Sequence, residues 1–124
     1  MTLYNIHPHV FAGLQRWHKE SFLTRRTGFS SDEERIIYLV AKSFGISHND
    51  LKSRSHLRDF TTPRQVAIYF IRKYTSKTQQ QVGIIFSRDH STIVNSLKVV
   101  NNLMDTDAAF KEKIDLIDKL ITKI

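Results

Sequence analysis

Thr78-Gln79-Gln80-Gln81-Val82-Gly83-Ile84-Ile85-Phe86-Ser87-Arg88-Asp89-His90-Ser91-Thr92-Ile93-Val94 is the stretch on which the fold turns. Thr78 followed three residues on by Gln81 is a capping box. The hydroxyl accepts a backbone N–H from the first turn, and the Gln side chain reaches back to the cap. Val82, Ile85 and Phe86 give the short helix that follows an apolar side. After only Ser87 and Arg88, a second helix is predicted to begin near Asp89 or Ser91. Its apolar residues Ile93, Val94, Leu97, Val100, Leu103 and Met104 recur at helical spacing. A short helix, a tight turn and a long helix opening on polar side chains is the pattern of a helix-turn-helix. Any two abutting helices share that spacing, so the pattern alone leaves a plain helical pair open.

The same punctuation repeats on either side of this stretch. Ser31-Asp32-Glu33-Glu34 is a second box, followed by an apolar stripe at Ile36, Ile37, Val40, Ala41 and Phe44 and a C-terminal stop at Gly45. His48-Asn49-Asp50-Leu51 reads as one helical turn, and residues 52–60 as a basic loop. Thr62-Pro63-Arg64-Gln65 is a third box with Pro at the first helical position. Its helix is predicted to run to about Tyr74, with Val66, Ala67, Phe70, Ile71 and Tyr74 inward. Asp107 caps a last helix whose inward residues are Phe110, Ile114, Ile117 and Ile121. With four Gly and two Pro in 124 residues, breakers are few and period-2 alternation is missing. The expected fold is therefore all-α, an orthogonal helical bundle containing a helix-turn-helix.

Two zones divide the chain. Residues 31–124 are expected to form the bundle. Residues 1–30 are an aromatic and His-rich extension (Tyr4, His7, His9, Phe11, Trp17, His18, Phe22, Phe29). Val10, Leu14 and Trp17 suit one side of a helix starting after Pro8. Eight aromatic or His side chains are too many to leave in water, so this segment is expected to fold on the core, bind a protein partner or self-associate.

Charge points to the middle of the chain. The formal net charge is +7, and residues 52–98 alone hold nine basic and two acidic side chains, so the rest of the chain balances to zero. Such a block is the electrostatic footprint of a phosphate-facing surface, although a solvated basic face gives the same count. Within it, the residues opening the second helix suit the major groove. Arg88 can fork onto guanine, Asp89 can accept from a cytosine amino group, His90 can donate or accept, and the Thr92 methyl can touch thymine. Ser91 and Thr92 equally suit phosphate, and Asp89 suits an N-cap.

Residues from Arg58 to about Met104 resemble the C-terminal DNA-binding domain of the bacterial replication initiator DnaA. The motifs that carry this are Pro63-Arg64-Gln65 and Arg88-Asp89-His90-Ser91-Thr92, in that order, with Gly83 in the short helix between them. The resemblance implies sequence-specific binding of double-stranded DNA at a DnaA-box-like site, in replication initiation or its regulation. It assigns base reading to Asp89, His90, Ser91 and Thr92, a minor-groove loop to Arg54, His56 and Arg58, and phosphate contacts to Arg64, Arg72 and Lys77. The family usually carries two Gly before Arg-Asp-His, where this chain has Ser87 alone. It also usually has Arg before the Pro, where this chain has Thr62.

Other chemistries fare poorly. A phosphate-cradling loop needs Gly-x-x-x-x-Gly-Lys-Ser/Thr, and none of Gly13, Gly28, Gly45 and Gly83 precedes Lys-Ser/Thr. No nucleotide, other cofactor or metal is therefore expected. Asp89-His90-Ser91 holds the residue types of a catalytic triad, but consecutive helical residues fan out by about 100° each and cannot relay a proton. The chain is read as no enzyme. His7, His9 and His18 lack the Cys or carboxylate company of a metal site. There is no cysteine and no run approaching about 18 apolar residues, so a nucleoid-associated cytoplasmic protein without membrane contact is expected. The competing reading is a protein-interaction module or transcriptional regulator that reuses the fold.

Overall fold

The computed structural model describes residues 31–123. The helix expected after Pro8, the histidine cluster and the partner surface expected in residues 1–30 lie outside the described residues. Six helices and no strand are present among those described: α1 Asp32–Phe44, α2 His48–Lys52, α3 Arg58–Tyr74, α4 Gln79–Phe86, α5 His90–Thr106 and α6 Ala108–Thr122.

Most helices start where a side chain meets an orphan N–H. Ser31 accepts from Glu34 N at 3.3 Å, Ser47 from Asp50 N at 3.0 Å, and Asp107 from Phe110 N at 3.1 Å. At Thr78 both halves of the capping box are made, with Gln81 N donating to the Thr78 hydroxyl at 3.1 Å and Thr78 N to Gln81 Oε1 at 2.8 Å. One start is a correction. The third box does not begin a helix, because α3 already begins at Arg58 behind Leu57, which makes no side-chain cap bond. Phe60 N and Thr61 N both donate to Leu57 O, and the Thr61 hydroxyl reaches the same carbonyl at 2.7 Å. This local bonding replaces the cap, so Pro63 sits inside the helix and the loop expected over 52–60 is shortened to Ser53–Leu57.

α3 is the central strut and packs most extensively against α5 and then α1. Its Val66, Ala67, Ile68, Phe70 and Ile71 are fully buried, with Ile36, Ile37, Leu39 and Val40 of α1 and Ile93 of α5. α6 closes the bundle through Phe110, Ile114, Ile117 and Ile121, all buried as the stripe predicts. The Arg35 guanidinium donates to Ile121 O at 3.2 Å, tying α1 to the end of α6. Tyr74 leaves the expected core: it is half-exposed and its hydroxyl donates to Asp118 of α6, beside the Lys73–Asp118 ion pair at 2.9 Å. No described helix is long and apolar enough to cross a membrane.

Candidate nucleic-acid interface

α4 and α5 are separated by three residues, and their junction is built by two close backbone approaches. Ser87 N donates to Ile84 O at 3.2 Å and Arg88 N to Gly83 O at 2.8 Å, which closes α4 in a Schellman motif. That motif places Ser87 in the left-handed region at φ 54°, a conformation that L-residues other than Asn and Asp seldom adopt. Gly83 gives the turn room, since a Cβ there would lie 2.6 Å from the Arg88 carbonyl oxygen.

Asp89 caps α5. Its Oδ1 accepts from Thr92 N at 2.9 Å and from the Ser91 hydroxyl at 3.0 Å. The Thr92 hydrogen bonds foremost, and then that from Ser91, hold the Asp89 carboxyl below its ordinary value. His90 and Ser91 are exposed and Thr92 is half-buried, while Ile93 and Val100 on the opposite side are buried in the core. The first turn of α5 contains no acidic side chain. The negative end of this cap is Asp89 itself, whose carboxylate complements the helix dipole at the N-terminus. A groove of about 560 Å³ runs along this opening, lined by Gln80, Gly83, Ile84, Ser87, Arg88, Asp89 and His90. Ile84, which lies off the Val82, Ile85 and Phe86 side of α4, is an apolar side chain 75% exposed on its rim.

The other basic residues predicted to meet DNA fall into two groups. Arg54, His56 and Arg58 are exposed together, the first two on the Ser53–Leu57 segment and Arg58 as the first residue of α3 rather than in the loop. The others are engaged within the protein. Arg72 donates to Lys77 O at 2.6 Å, and Lys77 pairs with Glu33 at 3.2 Å. Arg64 is only 4% exposed, with Nε donating to Leu51 O at 2.9 Å and Nη1 to Ser55 O at 3.2 Å. Arg88 turns back from α5 to donate to Ser53 O at 3.0 Å. Arg64 Nη2 and Arg88 Nε are buried without a hydrogen-bond partner among the described residues. Burial, and then the neighbouring Arg88 cation, push the Arg64 guanidinium down from its ordinary value. The structure thus gathers His90, Ser91 and Thr92 on an open face and withdraws Arg64 and Arg88 behind it.

The family model for the bacterial dnaA protein helix-turn-helix matches residues 33–100, which spans α1 to most of α5. Among curated proteins, the chromosomal replication initiator protein DnaA of Wolbachia pipientis wMel is 38% identical over 88 residues, covering 70% of this chain and 19% of that protein. DnaA of Ehrlichia ruminantium strain Gardel is 36% identical over 102 residues, covering 82% and 22%. DnaA of Desulfotalea psychrophila is 33% identical over 86 residues, covering 69% and 18%. The chain spans about a fifth of the length of these relatives.

Proposed function

This chain belongs to the bacterial DnaA helix-turn-helix family, and on that premise we propose that it binds double-stranded DNA sequence-specifically, in replication initiation or its regulation. One observation carries the reading: α5, capped by Asp89, presents His90, Ser91 and Thr92 on an open first turn while its opposite side is anchored in the core. An anchored helix with a free polar N-terminal turn is what enters a major groove in this motif. Asp89 takes part through its cap, which orients the turn, and an exposed carboxylate there suits a cytosine amino group.

Arg54, His56 and Arg58 form the exposed basic segment that reaches the adjacent groove. Arg72 and Lys77 add positive potential beside the helix that crosses the backbone, and such contacts position a protein without carrying sequence information. The reading makes the chain a DNA-reading module with neither catalytic chemistry nor a nucleotide of its own.

Selection from a random duplex pool tests this directly. A single enriched motif of DnaA-box character is expected, with binding that weakens steeply as salt rises. Salt-dependent binding with no enriched motif would reduce the function to non-specific DNA association. Binding to no duplex at all would return the fold to the interaction-module reading.

A further inference from the structure

The turn that opens α5 is tied to a segment 35 residues earlier in the chain. The Arg88 guanidinium donates to Ser53 O at 3.0 Å, while Arg64 donates to Leu51 O at 2.9 Å and Ser55 O at 3.2 Å. Two planar forks thus hold alternate carbonyls of one stretch. The stretch is otherwise held by its own short bonds, Ser53 Oγ to Asp50 O at 2.8 Å, Ser55 N to Ser53 Oγ at 3.3 Å and Leu57 N to Ser55 Oγ at 3.1 Å. None of these reaches the helix-turn-helix; among the described residues Arg88 alone joins the stretch to the α4–α5 turn by a side-chain hydrogen bond.

The chemistry of the pair is also uneven. Arg64 and Arg88 are close enough to repel, and neither forms an ion pair among the described residues. Two neighbouring guanidinium groups set against carbonyls, without a carboxylate, stabilise poorly compared with a neutralised pair. What they supply is geometry, since a rigid fork fixes direction as well as distance.

On the DNA-reading function proposed above, we propose that Arg88, supported by Arg64, is a positioning residue that fixes the Arg54–Arg58 segment in register with the reading turn of α5. The two contact regions then meet one duplex as a single footprint. Arg88 sets the spacing between the major-groove and adjacent-groove contacts and reads no base itself.

The test uses Arg88→Ala in the whole chain. In the free protein, amide exchange at Ser55 and Leu57 is expected to quicken about tenfold or more, with α3 amides unchanged. On the duplex selected by the parent chain, affinity is expected to fall about tenfold, within the coupling range of contacting groups. Hydroxyl-radical protection should be lost where the basic segment lies, while base preference opposite His90–Thr92 stays the same. A changed preference at one base with unaltered exchange would make Arg88 a base reader and overturn the proposal, as would an unchanged footprint. Should Arg88→Ala fail to fold, Arg88→Lys keeps the charge, loses the fork and is read by the same two measurements. If the parent chain selects no duplex, the DNA-reading function fails, and exchange in the free protein still decides whether Arg88 restrains the segment.

Discussion

The Cα of Gly83 lies so close to the carbonyl of Arg88 that an added Cβ would sit 2.6 Å from that oxygen. The obstructing atom is backbone and belongs to the turn itself, so it cannot rotate away. Gly83→Ala gains helix propensity of about 1 kcal/mol, yet forces the turn outward at the usual overpacking cost of about 1–3 kcal/mol. A net loss of about 1 kcal/mol in urea unfolding is expected. Since the displaced turn carries α5, affinity for the selected duplex should fall by more than the stability change implies. A variant as stable and as tight as the parent would show that the turn relaxes freely.

Ser87 and Gly45 occupy the same position in two Schellman motifs. Gly45 N donates to Lys42 O at 3.2 Å and Ile46 N to Ala41 O at 3.0 Å, with φ 70° at the glycine. Ser87 adopts φ 54° without the glycine that makes this region cheap. Ser87→Gly therefore relieves a left-handed cost of about 1–2 kcal/mol, less the extra freedom glycine gives the unfolded chain. A gain of about 0.5–1 kcal/mol is expected, and Gly45→Ser should lose a similar amount. Thermal melting of both variants checks the pair, and equal signs for the two substitutions would contradict it.

Lys113 predicts a pH dependence. Its side chain is buried with Nζ 4.3 Å from the Phe44 ring centroid, and burial pushes its pKa down to about 8. An unfolded lysine titrates near 10.4, so between about pH 8 and 10 the unfolded chain holds a proton the folded chain lacks. Stability contributed by this group is lowest below pH 8 and rises with pH through that window. Lys73 is shifted the other way, its pKa raised chiefly by the hydrogen bond to Asp118, so the comparison must be between variants. Lys113→Met is expected to raise the melting temperature at pH 7 and to remove the rise between pH 8 and 10. Parallel melting profiles for the two chains would mean that the ammonium is solvated.

The helix ends that the sequence makes plain are those whose caps are side chains. Ser31, Thr78, Asp89 and Asp107 each satisfy an N–H three residues on, and Gly45 stops α1 as glycine should. The start of α3 follows no such signal, because Leu57 supplies only its carbonyl and the Thr61 hydroxyl bonds back to it. Ser96 escapes the apolar stripe of α5 for a related reason: it is buried with its hydroxyl on Thr92 O at 2.9 Å. The candidate interface divides along the same line. His90, Ser91 and Thr92 follow from their place in the first turn of a capped helix. The withdrawal of Arg64 and Arg88 depends on carbonyls of Leu51, Ser53 and Ser55 brought in by the tertiary fold, which charge counting along the chain does not register.

With Arg88 turned away, His90 becomes the exposed side chain at the opening of α5 best suited to a base edge. It lines the groove together with Gln80 and Ile84, and the helix beneath it is held by buried Ile93. An imidazole can donate from one nitrogen and accept at the other. A base-edge contact discriminates by about 1–3 kcal/mol, whereas a phosphate contact weakens all sequences alike. His90→Ala is therefore expected to lower affinity for the selected duplex by about ten- to hundredfold and for random duplex hardly at all. Among the described residues no side-chain hydrogen bond of His90 supports the cap, which is made by Asp89 and Thr92, so the melting temperature should hold. Measuring both binding constants and melting on the same variant separates the roles. Equal loss on selected and random DNA would assign His90 to phosphate, and a lower melting temperature with unchanged preference would assign it to the turn.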